Sequence, residues 1–322
     1  MTQPHASVII LTRNGMPLFQ RCLNAVLSQR TTWPFEVIVI DSRSTDGTWE
    51  LAVSRAHRTV QISPTEFNHG ETRNLGARLA RGKFLVFLVQ DAIPTDERWL
   101  AVLVAACDRP GVAGSYSRQI PRPESELITK HLCEGTTPSA VIAETKQLPT
   151  GVRLGDLPPN KRLNAAIFQD NSSCLKRDVW ETHPFAPLRY GEDIEWGKRV
   201  IEAGFAIAYE PSSSIFHSHD RSPLYYLKRA YADHYQAAEL FDFIMIPSII
   251  VAAKSLIHNL LGAWRFGLRQ DLSLTAKLKF AASASIYVTC LVTGQFVGPR
   301  MPRTPRRPRL AEMVDDKLRA GV

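Results

Sequence analysis

The sequence has few cysteines and no cysteine pattern. Its five cysteines are scattered between Cys22 and Cys290 without a C-x-x-C pair. Such spacing is typical neither of a zinc site nor of a disulfide framework, and it fits a reducing compartment. The N-terminus, MTQPHASVIIL, also lacks the basic segment that precedes the apolar part of a secretory leader. We therefore expect a cytoplasmic protein whose chemistry does not depend on cysteine.

Acidic residues are scarce in the last third of the chain. Residues 1–220 hold 24 basic and 24 acidic side chains, whereas residues 221–322 hold 15 and 7, which accounts for the whole net charge of +8. Positive charge confined to one region favours an anionic partner, either a membrane or a nucleic acid. The basic tail lacks the interleaved aromatic residues typical of single-strand binding, so we expect a membrane surface and no nucleic acid.

The sequence also lacks a Gly-rich G-x-G-T-R loop after its first apolar segment, which argues against a nucleotidyltransferase. What it has instead is an alternation of short apolar strands and helical patterns over residues 7–110. This alternation predicts an α/β fold with a mixed, mainly parallel sheet flanked by helices. The predicted strands cover 7–11, 35–40 and the residues up to Asp91, and the predicted helices cover 18–29, 49–56 and 70–80.

The later part of the chain is less regular. Residues 115–165 are Pro-rich and weakly periodic, which indicates a long functional or disordered loop. Beyond it we predict a strand over 164–175, a helix over 178–182, a helix from Glu192 to just before Gly204, and a strand over 206–210. These elements complete a domain over residues 1–220, and residues 221–322 form a helical, basic appendage.

Within the appendage, residues 244–261 carry apolar side chains at helical spacing, which indicates a helix that lies on or packs against something apolar. Residues 280–298 are uncharged but rich in Ser, Thr and Ala, a borderline pattern for a membrane crossing. The sequence PRMPRTPRRPR then predicts a disordered basic tail suited to anionic headgroups. The helices fit an ordinary packed domain as well as attachment to a membrane surface.

Polar side chains follow the ends of three predicted strands, where open α/β sheets bind their ligands. They are Thr12, Arg13 and Asn14 after the first strand, Asp41, Ser42 and Asp46 after the second, and Gln90 and Asp91 after the third. We expect them to line one binding site. Asp46 also stands where a helix cap is usual.

Asp91 is a candidate metal ligand. A hard cation such as Mg²⁺ takes few carboxylates and fills its other positions with phosphate oxygens and water. Mn²⁺ also accepts imidazole, so His217 and His219, which follow the strand at 206–210, are candidate partners. The ordinary interpretation of either histidine is a side chain that binds no metal.

Glu192 and Asp193 are candidate general bases. They open a predicted helix, and the positive end of the helix dipole keeps a carboxylate ionised and able to accept a proton. Acidic residues are also common at helix starts for structural reasons alone. Arg73 can hold phosphate oxygens in fork geometry.

Four segments together resemble a known enzyme family. SVIILTRNG, VIVIDSRSTDGT, RNLGARLARGKFLVFLVQDAIP and YGEDIEWGKRVIEAGFAIAYEP follow one another in the order found in inverting family 2 glycosyltransferases of GT-A fold. The resemblance covers residues 6–220. It implies a Rossmann-like GT-A domain, a nucleotide-diphosphate sugar as donor, and single-displacement transfer assisted by Mg²⁺ or Mn²⁺.

The resemblance also implies individual roles. Asp41 would hold the nucleotide base, and Arg73 with its neighbour Asn74 would hold the diphosphate region. Asp91, as the last Asp of a D-x-D motif, and His217 would bind the metal. Asp193 would accept the acceptor proton as the base of an E-D pair. The sequence departs from the family pattern at Val89, where the first Asp of D-x-D would stand, and at Ala92. Asp91 would therefore bind a metal with less help than usual.

Within that family, the Q-D-A of residues 90–92 and the segment SRQIPRPESE resemble rhamnosyltransferases. This implies dTDP-L-rhamnose as donor, and it places Arg118, Gln119 and Arg122 near the donor sugar or diphosphate. The acceptor would be a glycan or a lipid-linked hydroxyl at the inner face of the plasma membrane. A UDP-sugar donor on the same fold, or a scaffold that binds nucleotide sugar without turnover, are the alternatives.

Overall fold

The computed structural model describes residues 3–134, 139–188, 190–301 and 309–319. The chain divides into two compact units, the first from residues 1–123, 135–157 and 164–218 and the second from residues 124–134, 158–163 and 219–322. The second unit thus takes in two short segments from inside the predicted domain 1–220. How function is divided between the two domains stays a prediction.

A mixed sheet forms the centre of the first unit. Its strands among the described residues are β1 (Ala6–Thr12), β2 (Phe35–Asp41), β3 (Arg58–Gln61), β4 (Phe84–Val89), β5 (Ile93–Pro94), β6 (Val112–Ile120), β7 (Glu144–Lys146), β8 (Ser172–Lys176) and β9 (Ala206–Phe216). Their order is β3-β2-β1-β4-β8-β6-β9-β5, with β7 also paired to β9. The first four strands in this order are parallel, and β8 runs antiparallel between β4 and β6.

Helices flank this sheet. They are α1 (Leu18–Leu27), α2 (Thr48–Arg55), α3 (His69–Leu79), α4 (Trp99–Asp108), α7 (Arg177–Thr182) and α8 (Glu192–Glu202), while α6 (Pro159–Ala166) begins in the second unit. The apolar runs of β1, β2 and β4 are buried almost throughout, as expected for strands covered on both faces. The strands and helices predicted for residues 7–80 are confirmed to within two residues, and so is the α/β fold class.

The long loop predicted for residues 115–165 is wrong. Most of β6 lies in it, and this strand buries the hydroxyl groups of Ser115 and Ser117 beside the apolar Tyr116. The Ser117 hydroxyl lies 2.8 Å from that of Ser172 and 2.9 Å from that of Ser213. These hydroxyls satisfy one another in the interior, so the strand looks polar in sequence. The strand predicted for 164–175 is also wrong in its first half, since residues 164–166 end a helix.

The second unit is helical. It contains α5 (Leu127–Cys133), α9 (Pro223–Phe241), α10 (Ile249–Arg269), α11 (Leu274–Val297) and α12 (Arg309–Arg319). A serine precedes each of the three long helices, and its side chain accepts a hydrogen bond from the third helical N–H, which fixes where the helix begins. The helix α11 packs against α9 and α10 around a small apolar core that includes Tyr287 and Val288.

The segment PRMPRTPRRPR, predicted to be disordered, ends at Arg309, and residues 309–319 form the helix α12. Two contacts tie this helix to α9. The Tyr231 hydroxyl donates to Asp315 at 2.6 Å, and the Arg319 guanidinium lies over the ring of Tyr235. Residues 302–308, the centre of the basic tail, lie outside the described residues.

By length and composition, one helix among the described residues could cross a membrane. It covers Leu274–Arg300, with a mean hydropathy of 1.5, and 28% of its apolar window is buried within the structure. The same composition occurs in core helices of soluble proteins. Whether this helix crosses a membrane stays a prediction.

Candidate active site

The loops that follow β1 and β2 are tied together by side chains. Asn14 donates its N–H to Ser44, and its side-chain oxygen accepts from the N–H of Thr45 at 2.9 Å. Asp46 accepts from the N–H groups of Met16 and Thr48. The N-cap of α2 is Gly47, so Asp46 precedes the cap, contacts the first N–H of the helix and joins the two loops.

Asp41 lies at the centre of this arrangement. It is completely buried and pairs in register with Thr12, whose hydroxyl donates to it at 2.9 Å. The same carboxylate accepts from the backbone and hydroxyl of Ser44 and from the side chain of Gln61 at 3.1 Å. Four donors thus already bind Asp41, while the neighbouring Ser42 hydroxyl is buried without a hydrogen-bond partner among the described residues.

Gln90 joins the ends of β1 and β4. Its side-chain oxygen accepts from the Arg13 N–H at 2.8 Å, and its amide donates to the Arg13 carbonyl at 3.1 Å. A Cβ atom on Gly15 would lie only 2.5 Å from that oxygen. The side chain of Gln90 therefore holds the backbone of the first loop, and its predicted contact with the donor stays a prediction.

Asp91 and His217 come together beyond the sheet. The short strand β5 follows Asp91 and pairs Ile93 with Phe216, so the residue after Phe216 is brought back toward Asp91. The imidazole Nε2 of His217 lies 3.7 Å from a carboxylate oxygen of Asp91. Two ligand atoms each about 2.1 Å from one ion lie between roughly 3 and 4.2 Å apart, so this spacing suits a shared cation.

Gln119 orients the imidazole of His217. Its side-chain oxygen accepts from Asn171 at 3.1 Å and lies 2.9 Å from Nδ1 of His217. A carbonyl oxygen can only accept, so Nδ1 carries the proton and Nε2 keeps its lone pair for a metal. The Gln119 amide in turn donates to Gln169. Gln119 thus lies behind the histidine, and its predicted contact with the donor stays a prediction.

Arg73 is held in a buried ionic cluster. It is only 5% exposed, and its guanidinium contacts Glu192 at 2.5 Å and Asp170 at 3.2 Å. Burial lowers the pKa of Arg73, but Asp170, Glu192 and Asp193 raise it above its usual value. Because these carboxylates already occupy the guanidinium, a role for Arg73 at the diphosphate stays a prediction.

Asp170 was missed in the sequence. Burial raises the pKa of this carboxyl to about 7 against the lowering effect of Arg73, and the carboxylates of Asp193 and Glu192 add to the rise. A clue was available, since an acidic residue between Gln169 and Asn171 interrupts what otherwise resembles a strand. Perturbed carboxyls of this kind are concentrated at functional sites.

The two predicted bases have different environments. Both begin α8, which follows Gly191 in a left-handed conformation with φ 76°. Glu192 is 6% exposed and bound to Arg73, whereas Asp193 is half-buried, and its side chain accepts from the N–H of Ile194 at 2.8 Å. The adjacent pair therefore separates into a buried ion-pair partner and a more accessible carboxylate at the helix N-terminus.

One short segment connects the metal side with the base side. The backbone carbonyl of Asn171 accepts from the N–H of Val89, two residues before Asp91. Gln169 and Asn171 both contact Gln119, while Asp170 contacts Arg73. Consecutive side chains of this segment thus reach the two halves of the site in turn.

The remaining predicted residues are placed as follows. Asn74 is buried, with its amide bound to the Phe185 carbonyl at 2.8 Å, and it supports the segment that leads to α8. Arg118 donates to the carbonyl of Ser139. Arg122 is 7% exposed, and its Nη1 has no hydrogen-bond partner among the described residues, while its predicted place near the donor stays a prediction.

His219 is the first residue of the second unit and is half-buried. Its backbone carbonyl accepts from the hydroxyl of Tyr226 at 2.8 Å. Its role as a third metal ligand stays a prediction.

Known proteins resemble this chain in sequence. An O-antigen chain rhamnosyltransferase of Salmonella anatum is 31% identical over 224 residues, which cover 68% of each chain. A second O-antigen chain rhamnosyltransferase, from Salmonella typhimurium, is 31% identical over 222 residues and 67% of each chain. The N-acetylglucosaminyl-diphospho-decaprenol L-rhamnosyltransferase of Mycobacterium tuberculosis is 26% identical over 73% of this chain and 82% of its own length.

A solved structure shares the fold. The mannosyltransferase of Pyrobaculum calidifontis, determined in complex with GDP-mannose and Mn²⁺, has a TM-score of 0.55 and 20% identity, covering 93% of this chain and 87% of its own. The family model for glycosyl transferase family 2 matches residues 7–155. With the 31% identity to the Salmonella enzymes over two thirds of both chains, these findings show that the chain belongs to glycosyl transferase family 2.

Proposed function

We propose that this transferase moves L-rhamnose from dTDP-L-rhamnose to a hydroxyl of a glycan or lipid-linked acceptor, with inversion at the anomeric carbon. The observation that carries the chemistry is the difference between two adjacent carboxylates. Arg73 holds Glu192 inside the protein, whereas Asp193 is more accessible at the N-terminus of α8. This difference supports a structural role for Glu192 and a catalytic role for Asp193.

Asp193 is the general base in this proposal. It takes the proton of the acceptor hydroxyl while that oxygen attacks the anomeric carbon from the side opposite the diphosphate. The bond between the anomeric carbon and the diphosphate oxygen breaks in the same step, so the configuration inverts.

A divalent cation suits Asp91 and His217. The Asp91 carboxylate and the imidazole of His217, whose Nε2 faces that carboxylate, form a donor set that Mn²⁺ accepts. When bound, such a cation neutralises charge on the departing diphosphate. The buried guanidinium of Arg122 supplies a second positive group, because its unpartnered Nη1 gains a hydrogen bond when a phosphate oxygen arrives.

The choice of donor is supported by the relatives. Three bacterial proteins that resemble this chain over about two thirds or more of its length bear the name rhamnosyltransferase. Two of them are O-antigen chain enzymes, which fits a polymeric or lipid-linked acceptor. We also propose that the enzyme works at the inner face of the plasma membrane, where the basic residues of its last third meet anionic lipid.

The test is nucleotide release with competing donors and a base variant. We expect dTDP-rhamnose to be hydrolysed or transferred in preference to UDP-glucose and UDP-galactofuranose. Asp193→Asn lowers turnover by about 10²–10⁴-fold, because the proton has no acceptor, while thermal stabilisation by the donor is kept. Glu195→Gln, a change in the same helix turn at a residue paired with Arg199, leaves turnover unchanged.

Other outcomes have definite meanings. Preference for a UDP-sugar would overturn the rhamnose assignment and keep the transferase. Donor binding without turnover under any condition would show that the protein is a nucleotide-sugar scaffold. An Asp193→Asn variant as active as the parent would remove Asp193 as the base.

A further inference from the structure

The helix α10 exposes a continuous apolar stripe to solvent. Its members recur at intervals of three or four residues, so they lie on one face of the helix. They are Ile250, Ala253, Ile257, Leu261, Trp264 and Leu268. We refer to these six residues as the α10 stripe. Among them Ile250 is 69% exposed, Ile257 59% and Leu268 64%.

The α10 stripe is not the face by which α10 packs in the protein. Ala263 and Gly267 are buried, and they lie on a different side of the helix, toward α11. Gly267 is so close to Phe280 of α11 that an added Cβ would lie 2.4 Å from its ring. The helix thus has one apolar face for its own fold and a second that the described residues leave uncovered.

Exposed apolar side chains are concentrated in α10 and α11. Of the 17 large hydrophobic residues exposed in the described part of the chain, nine lie in these two helices, including Leu274 at 72% and Leu278 at 62%. A soluble monomer rarely keeps a patch of this kind without a partner. The question is therefore which partner covers it.

Charge identifies the partner. A row of exposed basic residues runs along one side of the α10 stripe, made of Lys254, His258, Arg265 and Arg269. Residues 249–297 contain five Lys or Arg and only one acidic residue, Asp271. Two copies of this surface would bring cations together without carboxylates to pair them. An anionic surface satisfies the charges instead.

We infer that the α10 stripe and its basic row dock this protein on an anionic lipid bilayer, with α10 lying in the plane of the headgroups. An apolar face flanked by Lys and Arg is the pattern of helices that bind at this depth. Trp264, a member of the stripe that is 41% exposed, is of a residue type enriched at membrane–water interfaces. The inference rests on the membrane location proposed above but not on the transfer chemistry.

The first experiment measures vesicle binding by the full chain. We expect co-sedimentation with vesicles of phosphatidylglycerol and phosphatidylcholine and little with phosphatidylcholine alone. Ile257→Ser, Leu261→Ser and Leu268→Ser combined lower the partition coefficient at least tenfold, because less apolar surface enters the bilayer. Val141→Ser with Ile142→Ser, a matched change at exposed apolar residues of the first unit, leaves it unchanged.

The second experiment tests the charges and the depth. Lys254→Gln, Arg265→Gln and Arg269→Gln each weaken binding about fivefold in low salt, and the effect shrinks as salt rises. Lipids brominated near the headgroup quench tryptophan fluorescence, and Trp264→Phe removes most of that quenching. Arg58→Gln and Arg98→Gln, exposed basic residues of the first unit, serve as controls.

Several results would overturn the inference. The first is that the protein does not bind anionic vesicles, and the second is that the serine substitutions leave binding intact. The third is a dimer in solution that those substitutions convert to a monomer while vesicle binding persists. The last result would assign the stripe to a second copy of this chain. Nucleotide release, measured on the same variants, shows whether the transferase proposal holds independently.

Discussion

The orientation of a single imidazole decides which nitrogen His217 offers. The Nδ1–H of His217 donates a hydrogen bond to Gln119, so in the neutral imidazole the lone pair is on Nε2, which faces Asp91. Gln119 is itself fixed by Gln169 and Asn171, which prevents its amide from turning round. Partners of this kind behind a metal ligand set both its tautomer and its direction.

Removing this partner should weaken metal binding before it affects anything else. We expect Gln119→Ala to lower Mn²⁺ affinity by about 10–100-fold, because His217 then exchanges between tautomers and orientations. Titration calorimetry or the Mn²⁺ paramagnetic resonance signal measures this without turnover. Gln147→Ala, which loses only an exposed bond to the Gly204 carbonyl, is the matched control. Equal Mn²⁺ affinity in Gln119→Ala and the parent would contradict the role.

At the scale of elements, the ionic cluster around Arg73 joins parts of the chain that are far apart in sequence. Arg73 lies on α3, Glu192 begins α8, and Asp170 precedes β8. These contacts span separations of about 100 residues, so they fix the start of α8 relative to the sheet. The position of Asp193 depends on that start.

Replacing the cation of this cluster should destabilise the fold. In Arg73→Met the carboxylates of Glu192 and Asp170 remain buried without a positive partner, and we expect a loss of about 3–5 kcal/mol in the free energy of unfolding. Arg199→Met, which breaks a partly exposed pair with Glu195, costs about 1 kcal/mol or less. Urea denaturation compares the two. A loss in Arg73→Met no greater than that in Arg199→Met would show that the cluster does not hold these elements together.

At the scale of the whole molecule, Asp170 makes stability depend on pH. Burial raises the pKa of its carboxyl to about 7 in the folded protein, against about 4 in an unfolded chain. The folded state therefore holds an extra proton between these values. The stability that this group contributes is complete below pH 4 and is lost as pH rises through 7.

The corresponding variant should have a flatter pH profile. From pH 4.5 to 7.5 we expect the parent to lose on the order of a few kcal/mol relative to Asp170→Asn, seen as converging or crossing melting temperatures. Asp156→Asn, at an exposed carboxylate, keeps the profile of the parent. The quantity to compare is the slope of stability against pH, because loss of the contact with Arg73 shifts the stability of the variant equally at every pH. Parallel curves for Asp170→Asn and the parent would mean that Asp170 ionises normally.

Local patterns predicted much of this molecule. The apolar runs of β1, β2 and β4 were legible because each strand is buried on both faces, and Asp41 and Asp91 stand at strand ends for the same reason. The family motifs placed Asp193 at the start of a helix. These features depend on residues that are close in sequence.

Long-range pairing was not legible. The burial of β6 could not be predicted, because its serines look polar in sequence. Their hydrogen bonds form only when the fold brings Ser117 next to Ser172. The partnership of Gln119 with His217 joins residues 98 positions apart. The charged sequence of α12 does not suggest that this helix packs on the protein. The hydrogen bond between Tyr231 and Asp315 holds it there. Each of these depends on tertiary neighbours that no local window contains.

In the segment from Gln169 to Asn171, successive side chains point alternately to two parts of the site. Gln169 and Asn171 contact Gln119, which holds the imidazole of His217, whereas Asp170 contacts the guanidinium of Arg73. Adding or deleting one residue here would exchange amides for a carboxyl at both places at once. We therefore expect an insertion or deletion of one residue in this segment to disturb the imidazole and the guanidinium together.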